Sequence, residues 1–525
     1  MTDTTLHTAA APGEQAKAKF PRQIPFIIAS EGCERFSFYG MRNILTVFLM
    51  TSLLLSVPES MRQADAKEVF HTFVIGVYFF PLLGGWLADR YFGKYNTVLW
   101  FSLIYCIGHL FLALFEDNRQ GFYAGLFLIA LGSGGIKPLV ASFMGDQFDK
   151  SNKSLAKIAF DAFYWIINFG SLFASLLMPI FLKQYGGTVA FGIPGILMFI
   201  ATLLFWAARK QYVHVPPAPP NPDSFLNVVR TALLTHREGE SRAGLFIAIA
   251  GVVVGLFALA KLWAHGIVPA ICVALVLMIG TFSYGAWIQL ERAKRVHPAD
   301  AVDGVRAVLR ILVVFALVTP FWSLFDQKAS TWVLQGDQMV KPEWFQPSQM
   351  QALNPLLVML LIPFNNLVLF PMLRKMGMEI TALRRMGAGI AFSGLAWIAV
   401  GMIQLHIDGG NATSLLWQIL PYVLLTMGEV LVSATGVEFA YSQAPGSMKG
   451  TIMSFWYLSV TIGNVWVLLA NNSVKSAAVT EKIAHTGMSV TAFQMFFFAG
   501  FALLAALCFA LYARRYPEVD NYRSA

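Results

Sequence analysis

Apolar runs of about 20 residues, the length an α-helix needs to cross a bilayer, repeat along nearly all of the chain, separated by short polar turns. The pattern predicts helices near residues 24–56, 67–90, 95–116, 120–145, 155–183 and 188–211. "VHVPPAPPNPDSF" follows, a proline-rich linker in which no helix persists. Two more apolar runs lie near 243–263 and 266–292, and six further spans near 303–333, 350–374, 380–404, 413–442, 449–472 and 489–514. The expectation is an all-α polytopic membrane protein with about fourteen transmembrane helices. It divides into an N-terminal six-helix bundle (22–212), a cytoplasmic linker (213–242), an inserted transmembrane hairpin (243–292) and a C-terminal six-helix bundle (302–515).

Composition agrees. Of 525 residues, 57% are hydrophobic and 13% charged, against about 25% charged in an ordinary soluble domain. Cys33, Cys106, Cys272 and Cys508 all fall in apolar segments with no metal-ligand spacing, and read as small hydrophobes. The polar, Ala-rich start shows no signal peptide. A net charge of +9 does not indicate nucleic acid here, because the basic residues sit in loops. Lys17, Lys19, Arg22, Arg90, Lys94, Lys150, Lys153, Lys157, Arg209, Lys210, Arg374, Lys375, Arg514 and Arg515 occupy alternate connections. That bias predicts both termini on the cytoplasmic side.

Two six-helix halves are the layout of major facilitator carriers, in which a site forms near the midplane between them. "GGWLADRYFGK" resembles that superfamily's loop motif through Gly85, Asp89, Arg90, Gly93 and Lys94. The equivalent loop of the second half, "FPMLRKMGMEITALRRMG", keeps the bases but lacks the acid.

Charges inside the spans carry the chemistry. In "EGCERFSFYGMR", Glu31, Glu34, Arg35, Phe38 and Arg42 fall within one sector about 100° wide over roughly 16 Å of helix rise. Lys137 lies in "LGSGGIKPLV", Asp326 in "TPFWSLFDQKAS" and Glu429 in "LLTMGEVLVS". Seven such charges cost on the order of 20 kcal/mol if left unpaired in lipid. They must therefore pair or meet water. A single pair would serve as a lock between helices; seven, on four helices in both halves, indicate a functional cavity. Four acids against three bases leave one carboxylate in excess, which burial would predispose to take up a proton. His71, at the start of the second span, is a further proton acceptor or else a cap at the outer interface.

These residues resemble a family signature. "EGCERFSFYGMR" is similar to the ExxERF(Y/S)YYGMR motif of proton-dependent oligopeptide transporters. "GSGGIKPLVASFMGDQF", "FYWIINFGSL", "FWSLFDQKAST" and "GEVLVSATGVEFAYSQAPGSMKG" resemble other conserved stretches of that family. The inserted hairpin matches its bacterial branch. The resemblance implies that Glu31, Glu34 and Arg35 couple protons, with His71 and Asp326. It implies that Arg42 and Lys137 bind the peptide carboxylate and Glu429 its ammonium, with Arg42 pairing with Asp326 across the halves and Lys137 similarly with Glu429. Tyr39, Tyr78, Asn168, Trp322, Asn354 and Trp456 would line the pocket, with Asn168 and Asn354 able to bond the peptide amide. Packing between helices is the plainer role for the aromatics. Phe38 departs from the signature, which has tyrosine there, so altered selectivity is expected.

The implied function is proton-coupled symport of di- and tripeptides into the cell by alternating access, in the cytoplasmic (inner) membrane. Short peptides, protons and the lipid bilayer are the expected partners, with no cofactor, metal or nucleic acid, and a monomer is expected. Three alternatives remain open. One is a carrier of nitrate or another anion, which leaves Glu429 without a partner. Another is a membrane enzyme using His71 or the carboxylates, for which no HExxH, GxSxG or phosphate loop is present. The third is a channel, which lacks a continuous polar stripe on its lining helices.

Overall fold

The computed structural model describes residues 20–517 apart from 150–151, 153–154, 218, 220, 236–240, 264–266 and 444–447. Lys17, Lys19, Lys150 and Lys153, used above for orientation, lie outside the described residues. The N-terminal half comprises α1 (Ile24–Phe48), α2 (Glu59–Leu87), α3 (Gly93–Leu114), α4 (Arg119–Ile136), the short α5 (Val140–Gly145) and the long α6 (Ala156–Ala207). The linker carries α7 (Phe225–Leu234), and the hairpin is α8 (Ala243–Leu262) and α9 (Ile267–Ile288). The C-terminal half comprises α10 (Ala299–Asp326), α11 (Thr331–Asp337), α12 (Leu353–Phe364), α13 (Phe370–Lys375), α14 (Ala382–Asp408), α15 (Ile419–Gln443), α16 (Lys449–Ser473), α17 (Ala477–Ala484) and α18 (Val490–Ala513).

Among the described residues, eleven helices are long and apolar enough to cross a membrane. Two of these, Met61–Leu114 and Ile158–Ala207, span 54 and 50 residues, more than twice what one crossing needs. Each is broken at a glycine in the left-handed region, Gly93 at φ +73° and Gly186 at φ +79°, and so supplies two crossings. α1 carries too many charges to count among the eleven, yet its 25 residues reach about 37 Å. The architecture is the expected one of about fourteen crossings.

Within the N-terminal half, α2 and α4 meet backbone to backbone. A Cβ on Gly84 would lie 2.2 Å from the Gly134 carbonyl oxygen, so only glycine permits this approach. α7 docks under the hairpin: Gln289 donates to the Ala232 and Leu233 carbonyls (2.8 and 2.9 Å) at its C-terminal end. His297 meets Asp223 (2.7 Å) and Thr231 (2.9 Å). The hairpin helices themselves bury only 22% of their apolar windows, leaving broad apolar faces exposed.

The halves are joined at the end of the molecule opposite the linker. Thr46 donates to the Ala329 carbonyl (2.8 Å), Gln351 to Asn43 (3.2 Å), Gln349 to Leu176 (2.9 Å) and Asn471 to Ala64 (2.8 Å). Nearer solvent, Lys475 bridges Asp65 (2.9 Å) and Glu68 (2.5 Å). The protein is captured with that end closed.

Three foreseen spans are interrupted: 120–145 between α4 and α5, 350–374 between α12 and α13, and 303–333 after α10. The span foreseen over 303–333 is not a single helix: α10 stops at Asp326, a 3-10 turn covers Gln327–Ala329, and α11 restarts at Thr331. This break reshapes the site.

Candidate functional site

The charged stripe of α1 faces the interior. Glu31, Glu34, Arg35 and Arg42 are only 5, 2, 8 and 5% exposed. Arg35 Nε lies 2.9 Å from Glu31 Oε1 and 2.5 Å from Glu34 Oε2. Pro25 at the first turn fits where no backbone donor is needed, and the helix then runs unbroken through the stripe.

Arg42 reaches across to the other half, where its Nη2 donates to Asp326 Oδ1 at 2.7 Å. The second carboxylate oxygen accepts from Asn464 Nδ2 (2.8 Å), and Asn464 Oδ1 lies 2.7 Å from His71 Nδ1. His71 Nε2 is 3.0 Å from Ser330 Oγ, which also lies 3.3 Å from the Gln327 carbonyl. His71 is fully buried; it is no interfacial cap. Since Asn464 spends its amide N–H on Asp326, its oxygen accepts and His71 Nδ1 must donate. The far side of the ring then has two consistent states. A neutral ring accepts the Ser330 hydroxyl proton; a protonated ring donates to Ser330, which turns its proton to the Gln327 carbonyl. The cluster accommodates one proton without breaking its geometry.

Two electrostatic expectations need correction. Lys137 does not pair with Glu429. Its ammonium sits over the rings of Phe38 (3.8 Å) and Tyr78 (4.6 Å), with Glu34 and Asp326 as its acidic neighbours. Besides Arg42, the basic neighbour of Glu429 is Lys328. Asn354 links the two, accepting from Lys328 Nζ at 3.1 Å and donating to Glu429 Oε2 at 2.5 Å and Thr426 Oγ1 at 3.1 Å. Its amide is therefore committed rather than waiting for a ligand. Lys328 adds a fourth base to Arg35, Arg42 and Lys137, so the surplus carboxylate disappears; buried Lys67, near His71, is a further base. On a continuous helix, position 328 would lie about 200° from Asp326, on the opposite face. The 3-10 turn after Asp326 brings Lys328 back to the same chamber, over the Phe325 ring at 3.1 Å.

The remaining expected residues surround this cluster. Tyr39 lies within the fields of Arg35, Arg42 and Glu429. Asn168 donates to the Tyr164 carbonyl (3.0 Å) one turn earlier on α6, and the Tyr164 phenol feels the Glu429 charge. Tyr78 stacks on Tyr457 (6.3 Å) across the halves. Trp322 meets Trp456 edge to face (5.8 Å), and Trp456 rests on Phe315 (5.2 Å). The Trp322 indole N–H is buried with no partner among the described residues, a donor free for a ligand carbonyl. Asn464, Ser330, Thr426, Lys328 and the buried Lys67, one turn before His71, were not foreseen. Only the lysines had a legible signal, as charges within or bordering apolar spans.

The sequence matches the POT family over residues 95–487 and an MFS/sugar transport family over 27–159. Among solved structures, the POT family transporter PepTSo is 71% identical, with a TM-score of 0.93 over 95% of this chain and 98% of that one. An auto-inhibited POT family peptide transporter is 67% identical, with a TM-score of 0.94 over 96% and 99%. Among curated proteins, mouse solute carrier family 15 member 2 is 31% identical over 75% of this chain and 50% of its own length. Caenorhabditis elegans peptide transporter 3 is 32% identical over 75% and 52%. The chain spans about half the length of these curated relatives.

Proposed function

The chain belongs to the POT family, a family of transporters rather than enzymes, and on that premise we propose that it carries di- and tripeptides into the cell together with protons. The observation that carries the reading is the buried relay from Arg42 through Asp326 and Asn464 to His71, which joins the two halves and contains a titratable ring. The bundles 22–212 and 302–515 rock about it, with 213–242 as cytoplasmic linker and 243–292 as hairpin. Loop lysines and arginines orient both termini inward, so the closed end faces outside. The functional unit is a monomer in the cytoplasmic membrane.

In the open state, a proton taken up at Asp326 frees Arg42, with His71 as the neighbouring proton acceptor. The peptide carboxylate then takes Arg42 and Lys137, and its ammonium competes with Lys328 for Glu429. Trp322, Trp456, Tyr39 and Tyr78 give the side chains tolerant apolar contact. Asn168 offers an amide oxygen to the peptide N–H. Glu31, Glu34 and Arg35 form a second proton-linked group on α1. The ligand biases the rocking only through unequal affinity for the two states.

Uptake into liposomes under an imposed proton gradient tests this with di-, tri- and tetrapeptides. Accumulation of di- and tripeptides that collapses with an uncoupler is expected. Gradient-driven accumulation that survives Glu31→Gln or Glu34→Gln removes those residues from coupling. Undiminished counterflow in Lys137→Ala removes it from the substrate site. Displacement of bound dipeptide by nitrate at similar concentration would favour the anion reading instead.

A further inference from the structure

A groove of about 500 Å³ runs along the seam between the inserted hairpin and the C-terminal half, between α9, α10, α16 and α18. Its size is that of a small-molecule site, and its walls are almost wholly apolar, with Phe455 and Leu312 among them. Gly280 leaves a gap in the α9 wall: a Cβ added there would meet nothing within 4 Å. At the end nearer the linker stands Arg310.

This arginine is unlike its neighbours. One turn earlier, Arg306 is held by both Glu291 and Asp303. Arg310 has no acidic partner among the described residues. Its guanidinium faces the Trp287 ring at 5.7 Å, and its backbone carbonyl accepts from the Tyr512 hydroxyl at 3.3 Å. Trp287 and Tyr284 lie exposed beside it, the residue types that gather where lipid headgroups begin. An unneutralised guanidinium at headgroup depth, opening onto an apolar slot, is complementary to one kind of molecule.

We propose that this groove binds an acidic phospholipid, with the phosphate on Arg310 and one acyl chain along Gly280 toward the bilayer centre. A guanidinium grips phosphate through paired, charge-assisted hydrogen bonds, and basic pockets between transmembrane helices on the cytoplasmic side suit such headgroups. The inner-leaflet placement rests on the orientation proposed above; the binding itself does not. The hairpin thereby gains a role: it supplies one wall of a lipid seat against the moving C-terminal bundle.

Native mass spectrometry of the whole protein released from detergent, after incubation with phosphatidylglycerol or phosphatidylcholine, tests the site without requiring transport or orientation. Retention of phosphatidylglycerol is expected to exceed that of phosphatidylcholine by roughly 3- to 10-fold: both phosphates reach Arg310, but choline's cation is then held close to the guanidinium. Arg310→Gln should abolish that preference. Gly280→Leu, which fills the slot and leaves the charge, should lower retention of both lipids. Equal retention of the two lipids, an unaltered preference in Arg310→Gln, or equal protection by inorganic phosphate alone would overturn the proposal. So would a mass change in Gly280→Leu that reports loss of a second protein copy rather than of lipid.

Discussion

Asn464 is the keystone of the relay between the halves, and replacing it with leucine isolates its contribution. Leucine has the same branched heavy-atom skeleton as asparagine, with bulkier methyl groups in place of the amide, but it can neither donate to Asp326 Oδ2 (2.8 Å) nor accept from His71 Nδ1 (2.7 Å). A hydrogen bond to a charged group contributes about 1.5–3 kcal/mol and a neutral one about 0.5–1.5 kcal/mol. Asp326 and Asn464 both belong to the C-terminal half, so only the bond to His71 on α2 crosses between the halves and is exchanged for water when the closed end opens. Asn464→Leu should therefore shift the equilibrium toward opening by about 0.5–1.5 kcal/mol, roughly 2- to 10-fold. Pulsed dipolar spectroscopy with spin labels at Glu59 and Ala478, both exposed at that end, reads this as a new population at longer distance. Lys475→Ala removes a bridge at the rim, where such pairs contribute about 0–1 kcal/mol, and should change the distribution little. An unchanged distribution and unchanged uptake in Asn464→Leu, or a larger opening in Lys475→Ala, would refute the assignment of the relay as the clasp.

Four further outcomes follow from the geometry. Lys328→Met removes the ammonium that competes with the peptide for Glu429 and should tighten dipeptide binding by about tenfold in a competition assay; unaltered affinity would take Lys328 out of the site. Phe38→Leu removes the ring beneath Lys137 and should raise the dipeptide KM by a factor equivalent to about 0.5–2 kcal/mol, whereas Phe38→Tyr keeps the ring and should not. Gly84→Ala forces a methyl group into the Gly134 carbonyl and should cost about 1–3 kcal/mol or more, read as a lower melting temperature in detergent, while Gly85→Ala meets open space and should be silent. Burial alone would lower the Lys475 pKa, but its hydrogen bonds to Glu68 and Asp65 outweigh this and hold it above the usual lysine value. A raised pKa contributes stability in full below the unfolded value and loses it as pH rises through the folded one, so this bridge should persist through neutral pH and yield only in strong alkali or salt.

The fold was legible because a bilayer imposes length on every span, and polar residues are too costly to hide in most of them. Even the breaks were readable where a glycine made them, as at Gly93 and Gly186. The end of α10 was not, since nothing in "FWSLFDQKAS" forbids a helix from continuing. That single turn decided the electrostatics: helical periodicity sends Lys328 away from Asp326, and the 3-10 turn returns it. The α1 stripe was legible because all of its charges share one continuous helix. The Asn464 and Asn354 links were not, because an asparagine in an apolar span gives no sign of which partner in the other half, or on the next helix, it will meet.

The loss of the surplus acid alters the logic of coupling. Had one acid been in excess, a proton could have entered simply to neutralise it. With Glu31, Glu34, Asp326 and Glu429 facing Arg35, Arg42, Lys137 and Lys328, a lone proton instead adds uncompensated positive charge to a low-dielectric chamber and strips Arg42 of its partner. A peptide alone fares no better, because its carboxylate must compete with Asp326 for the same guanidinium. Together they fit: the proton takes Asp326 out of the competition, and the carboxylate takes its place on Arg42. Under this scheme coupling is an exchange of partners at one arginine, and each ligand makes room for the other without any conformational signal passing between distant sites.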